Sequence, residues 1–252
     1  MDLGLQGLNA IVTGGTKGIG RAIAETLAGE GANVGICARN AAEVAAAVKA
    51  LQSRGVKATG AAVDVTGSGL APWVKSAAEA LGGIDIVIAN VSALAGGAAE
   101  QEWQDSFNVD VMATVRTVDA TLPFLQKSKH ASIVAISSVA AVEVPRGVRA
   151  YTAAKAAVIA YVSSVAATYA DQGLRANTVS PGTIYFEGGV WHKRQLNQPA
   201  MYEGALKRNP MGRMGTPQEV ANAAVFLASP AASFISGANL IVDDKITQRV
   251  QF

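Results

Sequence analysis

The stretch Leu8-Asn9-Ala10-Ile11-Val12-Thr13-Gly14-Gly15-Thr16-Lys17-Gly18-Ile19-Gly20 decides how this chain is read. Its first six residues are a short apolar run that ends in a glycine cluster, the pattern of a buried parallel strand. Helical spacing follows over residues 20–29, so strand, tight turn and helix come in that order. Glycines at 14, 18 and 20 permit a sharp turn, close approach of backbone to a phosphate, and close packing of helix on strand. The N–H groups and positive dipole end of such a helix attract an anion. Glycines also simply end strands, but here they sit after the first strand and before the first helix, as an anion cradle requires.

Outward from that turn the same alternation repeats. Strands are expected at 8–13, 33–38, 57–63, 84–89, 132–137, 175–179 and 239–242. Helices are expected at 20–29, 41–53, 69–81, within 101–125, at 151–171 and at 217–227. Strands alternating with helices imply βαβ units, hence a parallel sheet covered on both faces. Right-handed crossovers make it an α/β, doubly wound sheet with its ligand crevice at the carboxyl ends of the strands. No repeat, linker or composition break divides residues 1–252, so a single domain is expected. Residues 183–210 interrupt the rhythm, carry Phe186, Trp191 and Tyr202, and read as a lid or substrate loop.

Composition removes several classes of function. A net charge of +2 without a long Lys/Arg run disfavours nucleic-acid binding. The one cysteine, Cys37, lies in a strand-like setting and reads as a small inert hydrophobe, so no cysteine metal cluster is expected and no other metal site is evident. No signal-peptide layout and no apolar run of about 18 residues is seen, so the expectation is a cytoplasmic protein without membrane association. Charged residues make up only 16%, which leaves apolar surface to cover and suggests self-association. His130 sits in a polar loop and His192 follows Trp191 in the lid, where substrate contact is conceivable.

The end of the second strand bears on which dinucleotide would fill the cradle. An acidic residue there would bind a ribose 2′-hydroxyl. This chain has Ala38-Arg39-Asn40 instead, and Arg39 is suited to hold a 2′-phosphate bidentately, with Lys17 adding a second positive charge. The alternative is that both are ordinary solvated cations. NADP(H) is the expected cofactor.

A second constellation joins Ser138, Tyr151 and Lys155. Tyr151 and Lys155 are four apart in a helical stretch and share a face. A neighbouring ammonium stabilises negative charge on a phenol oxygen, which suits Tyr151 to proton transfer. Ser138 closes the strand Ala135-Ile136-Ser137-Ser138, where its hydroxyl is available to a substrate oxygen. Each residue alone has a bland explanation; together with the glycine turn they do not.

Thr13-Gly14-x-x-x-Gly18-x-Gly20, Asn90, Ser138, Tyr151-x-x-x-Lys155 and Pro181-Gly182 resemble the short-chain dehydrogenase/reductase family over nearly the whole chain. The stretch 209–229 is similar to its 3-oxoacyl-carrier-protein-reductase-like members. The resemblance implies a Rossmann-type sheet of about seven strands, a homotetramer or homodimer, and a small-molecule carbonyl or alcohol as substrate. It implies a cofactor held by Gly14, Thr16, Lys17, Gly18, Ile19, Gly20 and Arg39, with Asp64 and Val65 beside the adenine and Asn90 near a ribose. Pro181, Gly182, Thr183 and Ile184 would lie on the nicotinamide side, and Lys155 would also bind the nicotinamide ribose.

Four departures from the family pattern stand out. Ala89-Asn90-Val91-Ser92 replaces an Asn-Asn-Ala-Gly run. Asp110 aligns with the Asn that completes the family's catalytic group. An ionised Asp110 near Lys155 would move the pH optimum of alcohol oxidation upward; equally, its backbone carbonyl would serve whatever the side chain. Phe186 stands where a Thr often meets the carboxamide, and Thr183 is the nearby substitute. Val242-Asp243-Asp244-Lys245 replaces Val-Asp-Gly-Gly, in a tail ending at Phe252 that either packs on a neighbouring subunit or frays. These changes leave a catalytically weak, dinucleotide-binding regulatory protein as the alternative. A cofactor-free lyase resembling halohydrin dehalogenases is disfavoured by the intact cradle and by Lys155.

Overall fold

Seven strands appear in the computed structural model, which describes residues 1–143, 147–248 and 250. They are β1 (Asn9–Thr13), β2 (Asn33–Ala38), β3 (Ala58–Ala62), β4 (Ile86–Ala89), β5 (Ser132–Ile136), β6 (Arg175–Pro181) and β7 (Asn239–Val242). All neighbours pair in parallel, in the order β3-β2-β1-β4-β5-β6-β7. The expected doubly wound Rossmann-type sheet is therefore what forms.

Strand periodicity explains how one run of apolar residues builds two cores. Successive side chains point to opposite faces. Val12, Ile36, Ile88, Val134 and Val179 meet α1 (Gly18–Gly29), α2 (Ala41–Gln52) and α9 (Pro217–Ala228) on one face. Ile11, Cys37, Val87, Ile133 and Ala135 meet α3 (Leu70–Leu81), α5 (Ala113–Leu125) and α6 (Ala150–Tyr169) on the other. Local signals start the helices. The Asn40 side chain accepts from Ala42 N and Glu43 N at 3.0 and 3.1 Å to open α2. Thr216 and Glu219 cap the start of α9, with Pro217 in its first turn. The chain winds outward from β1 to β3, then returns to β4 and winds the other way, so a crevice opens between the carboxyl ends of β1 and β4.

The expected helix within 101–125 is broken. It consists of α4 (Glu100–Ser106), a π-helical segment at Phe107–Met112, and α5. Buried threonines Thr114, Thr117 and Thr121 donate to carbonyls four residues earlier at 2.7, 2.7 and 2.8 Å, which satisfies them inside an apolar face. The excursion between β6 and α9 is not an irregular loop either. It carries α7 (Val190–Asn197) and α8 (Pro199–Leu206). Its two ends meet where Tyr185 N donates to Gly215 O at 2.8 Å and Gly215 N to Thr183 O at 2.9 Å. The stretch Ala150–Gln172, against the sequence expectation, is long and apolar enough by composition to cross a bilayer. In the fold it packs on β5 and β6. The expected role of Phe252 lies outside the described residues.

Cys37 gives a direct check on strand β2. Burial pushes its thiol from 9.0 up to about 12. Below the lower value the thiol is neutral in both folded and unfolded chains and stability is unaffected. Between about 9 and about 12 only the unfolded chain ionises it, so stability falls as pH rises through that window. Cys37→Ala is expected to flatten the alkaline decline of the urea midpoint, and the native thiol is expected to resist iodoacetamide. Rapid labelling of the folded protein would refute the buried placement.

Candidate active site

The glycine turn is tied down from three sides. Gly14 N donates to Cys37 O at 2.8 Å, fixing the turn to the end of β2. The Asn90 side chain, just past β4, donates to Thr13 O and Gly14 O at 3.2 and 3.3 Å. Asn90 N donates to the Thr13 hydroxyl at 3.0 Å. Gly20 has no room for a side chain, because a Cβ would collide with the Gly14 carbonyl oxygen and the Asn90 amide. Gly18 has φ +55° and starts α1. No side chain caps the first turn of α1 and no acid occupies it, so its N–H groups are available to an anion. These features fit a dinucleotide pyrophosphate.

The other residues of the cofactor reading lie at the carboxyl ends of the strands. Arg39 follows β2 and is exposed, as is Lys17 in the turn. Asp64 follows β3 and turns back on Thr66, accepting from its N and Oγ1 at 2.9 and 2.7 Å. Those hydrogen bonds hold the Asp64 carboxyl below its usual range, with Arg39 adding a smaller pull. Val65 is buried beside it. Thr16 donates to Glu43 at 3.1 Å, which brings an acid beside the turn that the sequence reading did not anticipate. Ile19 lies in the first turn of α1. Pro181, Gly182, Thr183 and Ile184 lead off the end of β6, and the Thr183 hydroxyl donates to Asn209 at 2.8 Å. Phe186 packs on the turn itself: a Cβ on Gly18 would lie 2.6 Å from its ring. The aromatic thus covers the mouth of the cradle.

β5 and α6 deliver the second cluster. Ser138 leaves β5 and accepts from Ala140 N at 3.2 Å, opening a short 3-10 turn that packs on α6. Ser137 donates to Lys155 O at 2.9 Å and locks β5 to α6. Tyr151 and Lys155 stand one turn apart at the start of α6, with Lys155 Nζ 5.8 Å from the Tyr151 ring centroid. Lys155 is 2% exposed and Asp110 0%. Lys155 Nζ donates to Ile136 O at 2.9 Å and lies 2.9 Å from Asp110 Oδ1. The other Asp110 oxygen accepts from Ala93 N at 3.2 Å. Its backbone carbonyl accepts from the Thr114 hydroxyl at 2.7 Å. Of the two readings open for Asp110, the geometry has the charged side chain itself beside Lys155. His192 accepts from Gly188 N at 3.0 Å and meets the Tyr185 ring edge-on.

With the cradle and the Ser138, Tyr151 and Lys155 cluster at one end of the sheet, the class of protein follows. Residues 14–244 match the family model described as enoyl-(acyl carrier protein) reductase. The chain belongs to the short-chain dehydrogenase/reductase family. It is 40% identical to isoepoxydon dehydrogenase patN of Penicillium expansum, over 100% of this chain and 99% of that protein. Its fold superposes with a TM-score of 0.90 on L-sorbose reductase from Gluconobacter frateurii complexed with NADPH and L-sorbose, at 30% identity over 99% of this chain and 100% of that one. A 7α-hydroxysteroid dehydrogenase complexed with NADH and 7-oxo glycochenodeoxycholic acid gives a TM-score of 0.90 at 29% identity, over 99% of this chain and 98% of that one.

Proposed function

We propose that the protein is an NADP(H)-dependent oxidoreductase that interconverts a ketone and a secondary alcohol, with Tyr151 as general acid and base. The observation that carries this reading is the buried Lys155 ammonium, pinned beside the Tyr151 ring next to a dinucleotide cradle. The bound nicotinamide supplies or accepts the hydride. In the reducing direction Tyr151 gives its hydroxyl proton to the carbonyl oxygen, while the Ser138 hydroxyl donates a hydrogen bond to the same oxygen. Lys155 supports the charge left on the tyrosine oxygen. Asp110 acts through Lys155, as a positioning residue. Residues 183–210 serve as the substrate lid. Exposed Phe107, Met112 and Phe234 support a homodimer or homotetramer, for which light scattering is the direct measurement.

The preference for NADP(H) rests on Arg39 and Lys17 and on the absence of an acid at the end of β2. Glu43 beside Thr16 works against a 2′-phosphate, so the preference is expected to be graded. Solved relatives support either dinucleotide, one being complexed with NADPH and another with NADH.

Four outcomes test the assignment. Tyr151→Phe is expected to cut turnover by about 10²–10⁴-fold, the usual share of general acid–base catalysis, and to leave NADPH binding by fluorescence intact. Substantial residual turnover would mean another acid. Ala38→Asp with Arg39→Leu is expected to reverse the ratio of kcat/KM between NADPH and NADH, and an unchanged ratio would remove Arg39 from cofactor choice. Asp110→Ala leaves the Lys155 charge buried without its counter-ion, which is expected to cost about 3–5 kcal/mol in urea unfolding. Asp110→Asn is expected to lower the pH optimum of alcohol oxidation; a purely structural role would leave that profile in place.

A further inference from the structure

Just past β7 the chain adopts a conformation that its residues disfavour. Asp244 and Lys245 have φ of +55° and +60°, two consecutive left-handed residues of which neither is glycine. Glycine would be cheaper at both positions, so the side chains are retained against a local cost. The surrounding contacts indicate what the first of them does. Asp243 holds the turn, accepting from Lys245 N and Thr247 N at 2.9 Å each. Gly182 N donates to Val242 O at 2.9 Å, fastening the start of the 183–210 excursion to the same strand. Asp244 Oδ2 accepts from Met211 N at 2.8 Å, one residue past the end of that excursion. Arg213 nearby is held mainly by Glu219, with Asp244 a lesser electrostatic partner. Gln248 N donates to Glu143 at 2.7 Å, tying the tail to the segment that follows Ser138. Backbone strain that persists next to a site is a reason to look for a functional return.

We propose that Asp244 is a positioning residue, a clasp that pins the C-terminal root of the 183–210 excursion through Met211 N and so sets how tightly that excursion closes over substrate. Its effect on substrate rests on the reading of 183–210 as a lid; the clasp itself does not. A glycine at 244 relaxes the backbone and releases the lid root, so stability and function move in opposite directions. An asparagine tolerates the left-handed conformation and keeps a side-chain oxygen for Met211 N.

The experiment compares the wild-type protein with Asp244→Gly and Asp244→Asn in three measurements. These are thermal midpoint, trypsin cleavage at Lys193, Arg194, Lys207 and Arg208 followed by mass spectrometry, and KM and kcat with a ketone that the enzyme reduces. Asp244→Gly is expected to keep or raise the midpoint and to cleave faster within the lid. Its KM is expected to rise about tenfold, the scale of one hydrogen bond to a charged group, with a smaller change in kcat. Asp244→Asn is expected to return cleavage and KM to near wild type. Faster cleavage of Asp244→Gly with unchanged KM supports the clasp and overturns the lid reading. Wild-type cleavage and wild-type KM in Asp244→Gly overturn the clasp, as does a failure of Asp244→Asn to restore either one.

Discussion

An ammonium group taken out of water loses several kcal/mol of hydration, and Lys155 keeps only 2% of its surface exposed. Such a charge is tolerated where its donors find acceptors at short range, and two are supplied at 2.9 Å by the end of β5 and by Asp110. This requirement organises three elements at once. β5 must end with the Ile136 carbonyl free to face α6. α6 must start close enough for Lys155 to reach back, and Ser137 ensures that by binding Lys155 O. The stretch before α5 must turn a carboxylate inward, which the π-helical segment does by shifting the helical phase around Asp110. Tyr151 stands one turn before Lys155 and inherits its position from that anchoring.

The glycine turn imposes the complementary constraint on the other side of the crevice. Helix α1 approaches β1 so closely that Gly20 meets the Gly14 carbonyl, and Asn90 wedges its amide into the same gap. Asn90 belongs to the end of β4, so one side chain joins the two strands between which the sheet reverses. The anion-binding turn and the reaction cluster are thus held by neighbouring strands, and neither depends on the excursion for its position.

How much of this was legible in the residues follows from the kind of signal each part leaves. The buried strands were read because a run such as Ala10-Ile11-Val12 is apolar on both faces, and every expected end falls within two residues of the strand's own. The glycine turn was read because only close backbone contact needs three glycines at that spacing. The π-helical segment was not, since it changes hydrogen-bond partners without changing composition, and residues 101–125 keep helical spacing on average. Helices α7 and α8 were missed because each is only 8 residues long and they join at Gln198-Pro199, which hides their periodicity. The pairing of Asp110 with Lys155 was anticipated as a neighbourhood; the hold of Thr114 on the Asp110 carbonyl had no signal beyond a threonine four residues on. Glu43 was overlooked because its partner Thr16 lies 27 residues earlier, in the turn after the neighbouring strand β1.

The departures from the family pattern are unevenly distributed in space, and that distribution carries an argument. The pyrophosphate turn, Asn90, Ser138, Tyr151 and Lys155 keep the family's residues. Phe186 replaces a threonine and lays its ring on Gly18; Asp244 and Lys245 replace two glycines, and Asp244 accepts from Met211 N at the far root of the same excursion. Two of the four departures therefore act on one segment, at its two ends. The other two lie elsewhere, in Ala89-Asn90-Val91-Ser92 at the end of β4 and at Asp110 beside Lys155. An idle dinucleotide-binding scaffold has no chemical need for a buried Lys155–Asp110 pair beside Tyr151, so the pair favours the oxidoreductase reading proposed above over the idle one.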